Sequence, residues 1–439
     1  MKMAWSGLLI GLSAMPAAAV TCESPSAQGE QKGKLDASGE VCFERPLPTS
    51  PLLQQLAKTL KQGGSTADFW QARQQEGTPL VEPVDVKHKR VTFLWRGARN
   101  NVFILGSPAG DHDPLFRLGD SDVWFHSYVV PADTLMQYKL APDVPLIEGN
   151  MREKQRAMLA SAQADPLNPN TLQPQQDRWN RSSLLALTPS RYCSLSAMKA
   201  PIKSGSLTRH QLHSDFLGNT REITLYRPRL PQPARWTLLL FDGKQYQDDY
   251  HFANILDGLI ARHVLPPVNV VFIDSLDHAR RSAELPPNPH FADFMAHELL
   301  PWLHRQGLNM QRQKTIVAGS SYGGLAASWV ALRYPRLFGN VLSLSGSYWW
   351  APKGEAASWL TREYQRTPRY PVRFWLQAGT FEASGPGGGN YKHTLEFEQV
   401  LREKGYRVSF HPSSSGHDYA GWCEALVEGM REFTGLARR

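Results

Sequence analysis

The sequence predicts an α/β protein: a C-terminal half built on a mostly parallel sheet with helices on both faces, preceded by a small β-sandwich. Three observations carry this. From Ser206 onward, short apolar runs alternate with longer helical patterns, the texture of strands buried on both faces. Between residues 84 and 163 the runs are short, β-branched or alternating, with turns between them. Residues 314–350 then place a buried strand, a glycine-flanked serine and a helix in immediate succession.

Taken in chain order, residues 1–19 combine one lysine, an apolar core over 5–15 and an Ala17-Ala18-Ala19 exit. That pattern predicts a secretory signal peptide cut after Ala19. It is too short to span a membrane, and no other run of 18 apolar residues occurs, so a soluble exported protein is expected. Residues 20–83 form an extension, polar and turn-rich to residue 50, with helical patterns over 52–61 and 65–76. The four cysteines, 22, 42, 193 and 423, suggest two disulfides in an oxidising compartment. Three pairings are open; Cys22–Cys42 with Cys193–Cys423 is preferred, and buried free thiols are the alternative. The net charge of +8 comes without a dense Lys/Arg run, which argues against nucleic acid and leaves a membrane surface or an anionic small molecule.

The sandwich, residues 84–163, has expected strands over 90–95, 101–106, 122–130 and 135–140. Ala164-Asp165-Pro166-Leu167-Asn168-Pro169-Asn170 opens a Pro/Asn/Gln-rich stretch, so 164–200 is expected to be a linker. The remaining domain, 201–439, has strands over 209–213, 222–226, 236–241, 268–273, 315–318, 340–344, 372–377 and 407–411. Its main helices are expected over 252–263, 292–305, 322–334, 393–404 and 419–433.

Chemistry gathers where these strands end. Gly319-Ser320-Ser321-Tyr322-Gly323 is a G-x-S-x-G pentapeptide with a further glycine at 324. Between a strand and a helix it reads as a nucleophile elbow with Ser321 as nucleophile; a plain turn is the alternative. A serine nucleophile needs a base, and alpha/beta hydrolases place serine, acid and histidine in that chain order. His417 fits, on the loop after the last strand and before the last helix, although an exposed loop histidine is the bland reading. The orienting acid is Glu382, after the penultimate strand, with Asp418 as rival. Oxyanion donors are expected from the Tyr322 N–H and from the turn at Gly243 and Lys244, the Lys244 N–H above all. The runs 277–285 and 345–350 set basic groups beside aromatic ones, which would suit a planar anionic aromatic ligand. They suit a solvated loop and core tryptophans equally well. No H-E-x-x-H or comparable metal cluster is present.

At this point the chain resembles the enterochelin esterases, hydrolases that open the trilactone of ferric catecholate siderophores. The likeness runs over nearly all of residues 84–434. In the front half it rests on Val91-Thr92-Phe93 with Trp95-Arg96, Asp122-Val123-Trp124 and Ala164-Asp165-Pro166-Leu167-Asn168-Pro169. In the back half it rests on Leu240-Phe241-Asp242-Gly243, Leu265-Pro266-Pro267, Glu284-Leu285-Pro286, Ser321-Tyr322-Gly323-Gly324, Ser345-Gly346-Ser347-Tyr348-Trp349-Trp350 and Gly416-His417-Asp418. The resemblance implies an immunoglobulin-like front domain that helps shape the pocket and an alpha/beta hydrolase domain behind it. It implies Ser321 and His417 as catalytic residues, with Glu382 at the family's glutamate, although the 386–389 loop departs from the pattern. Arg281 stands at a family arginine and is expected to face catecholate or ester oxygens. Arg280, Glu284, Tyr348, Trp349, Trp350 and Arg96 are expected on the substrate side as well. No resident cofactor is implied, because iron arrives with the substrate.

Two departures bear on location. The leader occurs together with the front domain, and residues 22–44 are foreign to the family pattern; periplasmic hydrolysis is the reading they support. The expected function is thus an exported serine esterase acting on a catecholate trilactone. Its rivals are a general carboxylesterase of feruloyl or acyl-sugar esters and a catalytically silent siderophore-binding protein.

Overall fold

The computed structural model describes residues 19–23, 34–35, 41–45, 48–106, 108, 110, 112–145, 147–172, 181–229, 234–384 and 386–436. Residues 1–18 of the expected leader (1–19) lie outside them, and Ala19 opens the first strand. Strands β1 (Ala19–Glu23), β2 (Lys34–Leu35) and β3 (Val41–Arg45) form a small antiparallel sheet whose register sets Cys22 opposite Cys42. The side chains of that pair are outside the described residues.

The front half holds β4 (Leu80–Pro83), β5 (His88–Arg96), β6 (Val102–Gly106), β7 (His112–Pro114), β8 (Phe116–Arg117), β9 (Val123–Pro131) and β10 (Leu135–Pro142). It is completed by β11 (Thr171–Leu172) and β12 (Ser182–Ala186). They make two antiparallel sheets, β4-β5-β9-β8 and β11-β12-β10-β6-β7. Val91, Phe93, Ile104, Met136, Tyr138 and Leu140 are buried in the cluster that joins the two sheets. Leu94, Val123 and Phe125 belong instead to a second cluster with Leu53, Leu56 and Trp70 of the helices Pro51–Lys61 and Ala67–Glu76. With both faces covered, residues 91–94 are buried without alternation.

Two pieces of the stretch expected as a linker, Thr171–Leu172 and Ser182–Ala186, are strands of the second of these sheets. β12 pairs with β10, so the sheets run from residue 80 to 186 rather than from 84 to 163. Asp165 and Asn168 are buried polar pegs: Tyr138 Oη donates to Asp165 Oδ2 at 2.8 Å, and Asn168 Nδ2 donates to Tyr138 Oη at 3.0 Å. Burial pushes the Asp165 carboxyl up from its ordinary value. Proline and asparagine here mark a tightly bonded corner, which composition alone cannot tell from a linker.

The C-terminal half carries β13 (Gly205–Ser214), β14 (Asn219–Pro228), β15 (Trp236–Phe241), β16 (Val268–Ile273), β17 (Thr315–Ser320), β18 (Asn340–Leu344), β19 (Arg373–Gly379) and β20 (Arg407–Ser413). The sheet order is β13-β14-β16-β15-β17-β18-β19-β20; the first two pairings are antiparallel and the other five parallel. Helices Phe252–Ala261 and Tyr419–Thr434 pack on one face through Ile255, Leu256, Leu426 and Met430. Helices Tyr322–Arg333, Trp359–Arg366 and Gly389–Glu403 pack on the other. The expected helix over 292–305 is continuous in path but has a π-helical middle, Phe294–Leu299, just before Pro301, whose missing N–H breaks the regular ladder. Every parallel strand therefore ends at one edge of the sheet. No helix among the described residues is long and apolar enough to cross a membrane.

The front sheets touch that edge directly. Leu135 N–H donates to Ser414 O at 3.0 Å, and Phe381 packs against the sandwich core. Gly110 lies so close to Ser384 that a Cβ there would fall 1.7 Å from its Oγ. The expected disulfide Cys193–Cys423 is present and ties the segment before helix Leu195–Lys199 to helix Tyr419–Thr434. It closes 230 residues of chain. Replacing both cysteines by serine is expected to lower the unfolding free energy by about 2–5 kcal/mol, measured by urea denaturation; an unchanged midpoint would contradict it.

Candidate active site

The elbow follows from local sterics. Ser321, between β17 and helix Tyr322–Arg333, has φ 57° and ψ −120°, a conformation disfavoured for a side chain with Cβ. A Cβ on Gly319 would come within 2.8 Å of the Gly323 backbone, and one on Gly324 within 2.5 Å of Ser343 Oγ. Glycine at these places lets helix and strand close on each other. The strain is held by backbone bonds: Ser321 N–H to Leu344 O at 2.9 Å and Leu325 N–H to Ser321 O at 3.1 Å.

The loop after β18 runs between this serine and the acid. Ser347 Oγ lies 3.3 Å from Ser321 Oγ, and Ser345 Oγ donates to Glu382 Oε1 at 2.5 Å. Trp422 Nε1 in turn donates to Ser345 Oγ at 2.9 Å. Glu382 also accepts the Gly379 N–H on Oε1 at 2.8 Å; its Oε2 meets His417 Nδ1 at 2.6 Å and Asn390 Nδ2 at 3.0 Å. Burial pushes this carboxyl up. The His417 bond and charge, the Ser345 hydroxyl and the Gly379 N–H outweigh it and hold the pKa below the ordinary glutamate value.

His417 rests edge-on against Trp422, with ring centroids 4.7 Å apart. Since Nδ1 is taken by Glu382, Nε2 is the nitrogen left to face a reactant. In this structure Ser321 Oγ has Ser347 Oγ rather than His417 as its hydrogen-bond neighbour. Asp418 does not orient His417. Its Oδ1 caps the last helix, accepting the Ala420 and Gly421 N–H groups at 3.0 and 3.2 Å, and burial pushes its pKa up to about 6. Among the described residues, no group of three or more His, Cys, Asp or Glu is placed to hold a metal ion.

The turn after β15 lies against the elbow, since a Cβ on Gly323 would sit 3.4 Å from Phe241 Cβ and 3.5 Å from Asp242 Oδ2. Gly243 admits no side chain: a Cβ would fall 2.4 Å from Ile273 N. Lys244 stands at the start of a helical turn, Gln245–Asp249, where backbone N–H groups have no partner within the helix.

Several expected substrate contacts are otherwise engaged. Arg281 makes a two-pronged pair with fully buried Asp242, both bonds 2.8 Å, and its guanidinium lies over the Tyr322 ring at 5.6 Å. Burial works against its charge, but the Asp242 contact raises the Arg281 pKa overall. Arg281 thus braces the Asp242–Lys244 turn against the elbow. Glu284 is not its partner and has no oxygen to spare: Oε2 takes Arg221 Nη2 at 2.6 Å and Oε1 takes Asn219 Nδ2 at 2.8 Å. Tyr348 is a core residue, fully buried, with Oη bonded to Ser328 and Ser343 and its ring stacked on Phe397. Arg96 pairs with Asp122 at 3.0 Å and covers Trp70, on the helix-covered side of the front domain. Trp349 beside Tyr322, Trp350 against Trp359 and exposed Arg280 keep surface to offer. Asn390 was missed because it sits after the glycine-rich 386–389 loop, where no local pattern marks it. Arg281→Gln leaves a buried carboxylate unpaired, so the unfolding free energy should fall by about 3–5 kcal/mol. A wild-type urea midpoint would remove the bracing role.

Fold and site together define an esterase of the alpha/beta hydrolase type, and comparison with known proteins agrees. The Esterase family model matches residues 214–433, and the model of the enterochelin esterase N-terminal domain matches residues 90–190. The chain is 30% identical over 417 residues to the iron(III) enterobactin esterase of Dickeya dadantii, covering 84% of this chain and 93% of that one. It is 27% identical to the iron(III) salmochelin esterase of Escherichia coli, covering 83% and 92%. Among solved structures, the ferric enterobactin esterase of Salmonella typhimurium superposes with a TM-score of 0.69 at 25% identity, covering 84% of this chain and 98% of that one. The Shigella flexneri enterobactin esterase solved in the presence of enterobactin gives 0.68 at 25%, covering 83% and 97%. The chain belongs to the enterochelin esterase family.

Proposed function

We propose that this protein is an exported serine esterase that hydrolyses the ester bonds of a catecholate trilactone siderophore, acting in the periplasm. The observation that carries the reading is the Glu382–His417 pair at the sheet edge where the Ser321 elbow also stands, in a chain of this family. Ser321 Oγ attacks a lactone carbonyl while His417 Nε2 takes its proton. The Tyr322 and Lys244 N–H groups hold the oxyanion. Collapse returns the proton to the departing alkoxide oxygen of the opened lactone and leaves an acyl-Ser321 ester, which water, activated by the same nitrogen, then cleaves. Glu382 stays ionised and steadies the imidazolium. Iron, where present, is cargo of the substrate.

The front sandwich, which we read as immunoglobulin-like, would shape the mouth through its contacts with Ser414 and Ser384. Trp349 and Arg280 are the expected catecholate contacts. Export is supported by the N-terminal leader pattern and by the Cys193–Cys423 disulfide. Parallel assays of a catecholate trilactone, iron-loaded and iron-free, and of simple aryl and feruloyl esters test the proposal. A kcat/KM at least about a hundredfold higher for the trilactone is expected, since pocket contacts supply that discrimination. Preference for the simple esters would make the chain a general carboxylesterase, and tight retention without product a binding protein.

A further inference from the structure

A cavity of about 360 Å³ opens at the end of the parallel strands opposite the Ser321 elbow, lined by Trp236, Arg312, Gln313, Lys314, Gly339, Asn340, Pro371, Arg373 and Phe433. Trp236, Asn340 and Arg373 open β15, β18 and β19, and Lys314 directly precedes β17. These strands are 5–7 residues long and end at the elbow, Ser345 and the Glu382 turn. At about 3.3 Å per residue the two sites are therefore on the order of 20 Å apart.

The three basic side chains are half-buried, and each is fixed by a neutral partner. Arg312 Nη1 donates to Pro371 O at 2.5 Å, Arg373 Nε donates to Asn340 Oδ1 at 2.8 Å, and Lys314 Nζ lies 4.4 Å from the Trp236 ring centroid. Arg373 also lies over Phe433 at 5.0 Å. No carboxylate lines the cavity. Arg407 stands opposite Arg373 in the β19–β20 register and adds a like charge. Glu432, whose charge reaches Arg373, is held by Trp375 Nε1, Ser409 and His411. Burial and Arg407 together lower the Arg373 pKa.

Asn340 organises the set. It is 1% exposed, and both ends of its amide are used: Oδ1 accepts from Arg373, while Nδ2 faces the Arg312, Gln313 and Thr315 carbonyls, the last at 2.9 Å. One buried amide thus fixes the backbone turn carrying Arg312 and Lys314 and the guanidinium facing them. Half-buried like charges with no carboxylate bonded to them repel one another, and a pre-arranged group of them favours an anion.

We propose that this cavity binds a small polyanion, a molecule bearing two or more carboxylate or phosphate charges, independently of the reaction at Ser321. Calorimetric titration of the full chain with citrate and with inorganic phosphate, against acetate at matched ionic strength, tests this. One saturable polyanion per chain is expected, with acetate at least about tenfold weaker. Arg373→Gln and Lys314→Gln should each weaken citrate binding by on the order of tenfold or more. The Lys314 ammonium rests on the Trp236 ring and the residue's hydrogen bond to Gln311 O is made by its backbone N–H, which glutamine keeps, so its variant keeps the test open if Arg373→Gln unfolds. Ser321→Ala should bind citrate as the wild type does, and Lys314→Gln should retain wild-type ester hydrolysis without added polyanion. Acetate matching citrate, wild-type affinity in folded Lys314→Gln, or loss of citrate binding in Ser321→Ala would each overturn the proposal.

Discussion

Ser321→Ala is expected to lower kcat for ester hydrolysis by about 10⁴–10⁶-fold while changing substrate affinity little, because it removes the proposed nucleophile and leaves the binding surface. The fold should survive, since the restraints on the strained turn are the Ser321 backbone bonds to Leu344 and Leu325. Ser347 is the obvious substitute, its hydroxyl being 3.3 Å from that of Ser321. It stands on a different loop, held beside the elbow by its own N–H bond to Ser321 O at 3.1 Å rather than on the strained turn that presents Ser321, so it should not rescue the reaction. Single-turnover assays with chromatographic product detection measure the loss, and a calorimetric titration of the variant checks affinity. Hydrolysis within tenfold of wild type would show that another group attacks.

The parts of this site that were legible in the sequence are those set by neighbours in the chain. Gly319 through Gly324 specify the elbow by sterics among a few adjacent residues, and β15, β16 and β18 lie where continuous apolar runs placed them. His417 and Glu382 were legible because a parallel sheet delivers all its strand ends to one edge, so chain order implies spatial order. What was not legible depends on which distant groups the crossovers bring together. Arg281 finds Asp242 across 39 residues, and Glu284 finds Arg221 across 63, whereas the sequence alone set both on the substrate side. Tyr348 belonged to an apparent surface aromatic cluster, yet two serine hydroxyls satisfy its Oη inside the core. β12 reads as polar loop because Ser182 and Ser183 are buried by hydrogen bonding rather than by hydrophobicity: Ser182 takes a bond from Gln137, and Ser183 takes the Asp165 N–H.

The second large effect is expected at the acid. In wild type, Oε1 of Glu382 accepts from the Gly379 N–H and Ser345 Oγ, and Oε2 faces His417 Nδ1 and Asn390 Nδ2. A glutamine here has one oxygen and one NH₂ to distribute. The Gly379 N–H can only donate, so it holds the amide oxygen on its side and turns the NH₂ toward His417. His417 Nδ1 must then accept, the ring proton moves to Nε2, and that nitrogen can no longer take a proton from Ser321. Glu382→Gln should therefore lower kcat by about 10³–10⁴-fold with the fold intact. A second readout separates this from simple loss of structure. The folded-state pKa of Glu382 lies below the ordinary value of 4.5, so its ionised form adds stability above that value. That increment disappears as pH falls through the folded-state pKa. Urea midpoints measured from neutral pH down past that range should converge for wild type and Glu382→Gln. Asn390→Ala, which removes an N–H shared between Oε2 and His417 Nδ1 at 3.0 Å each and leaves the Glu382–His417 bond to set the tautomer, should cost only about tenfold. A Glu382→Gln enzyme with near-wild-type kcat would exclude Glu382 as the group that sets the His417 tautomer.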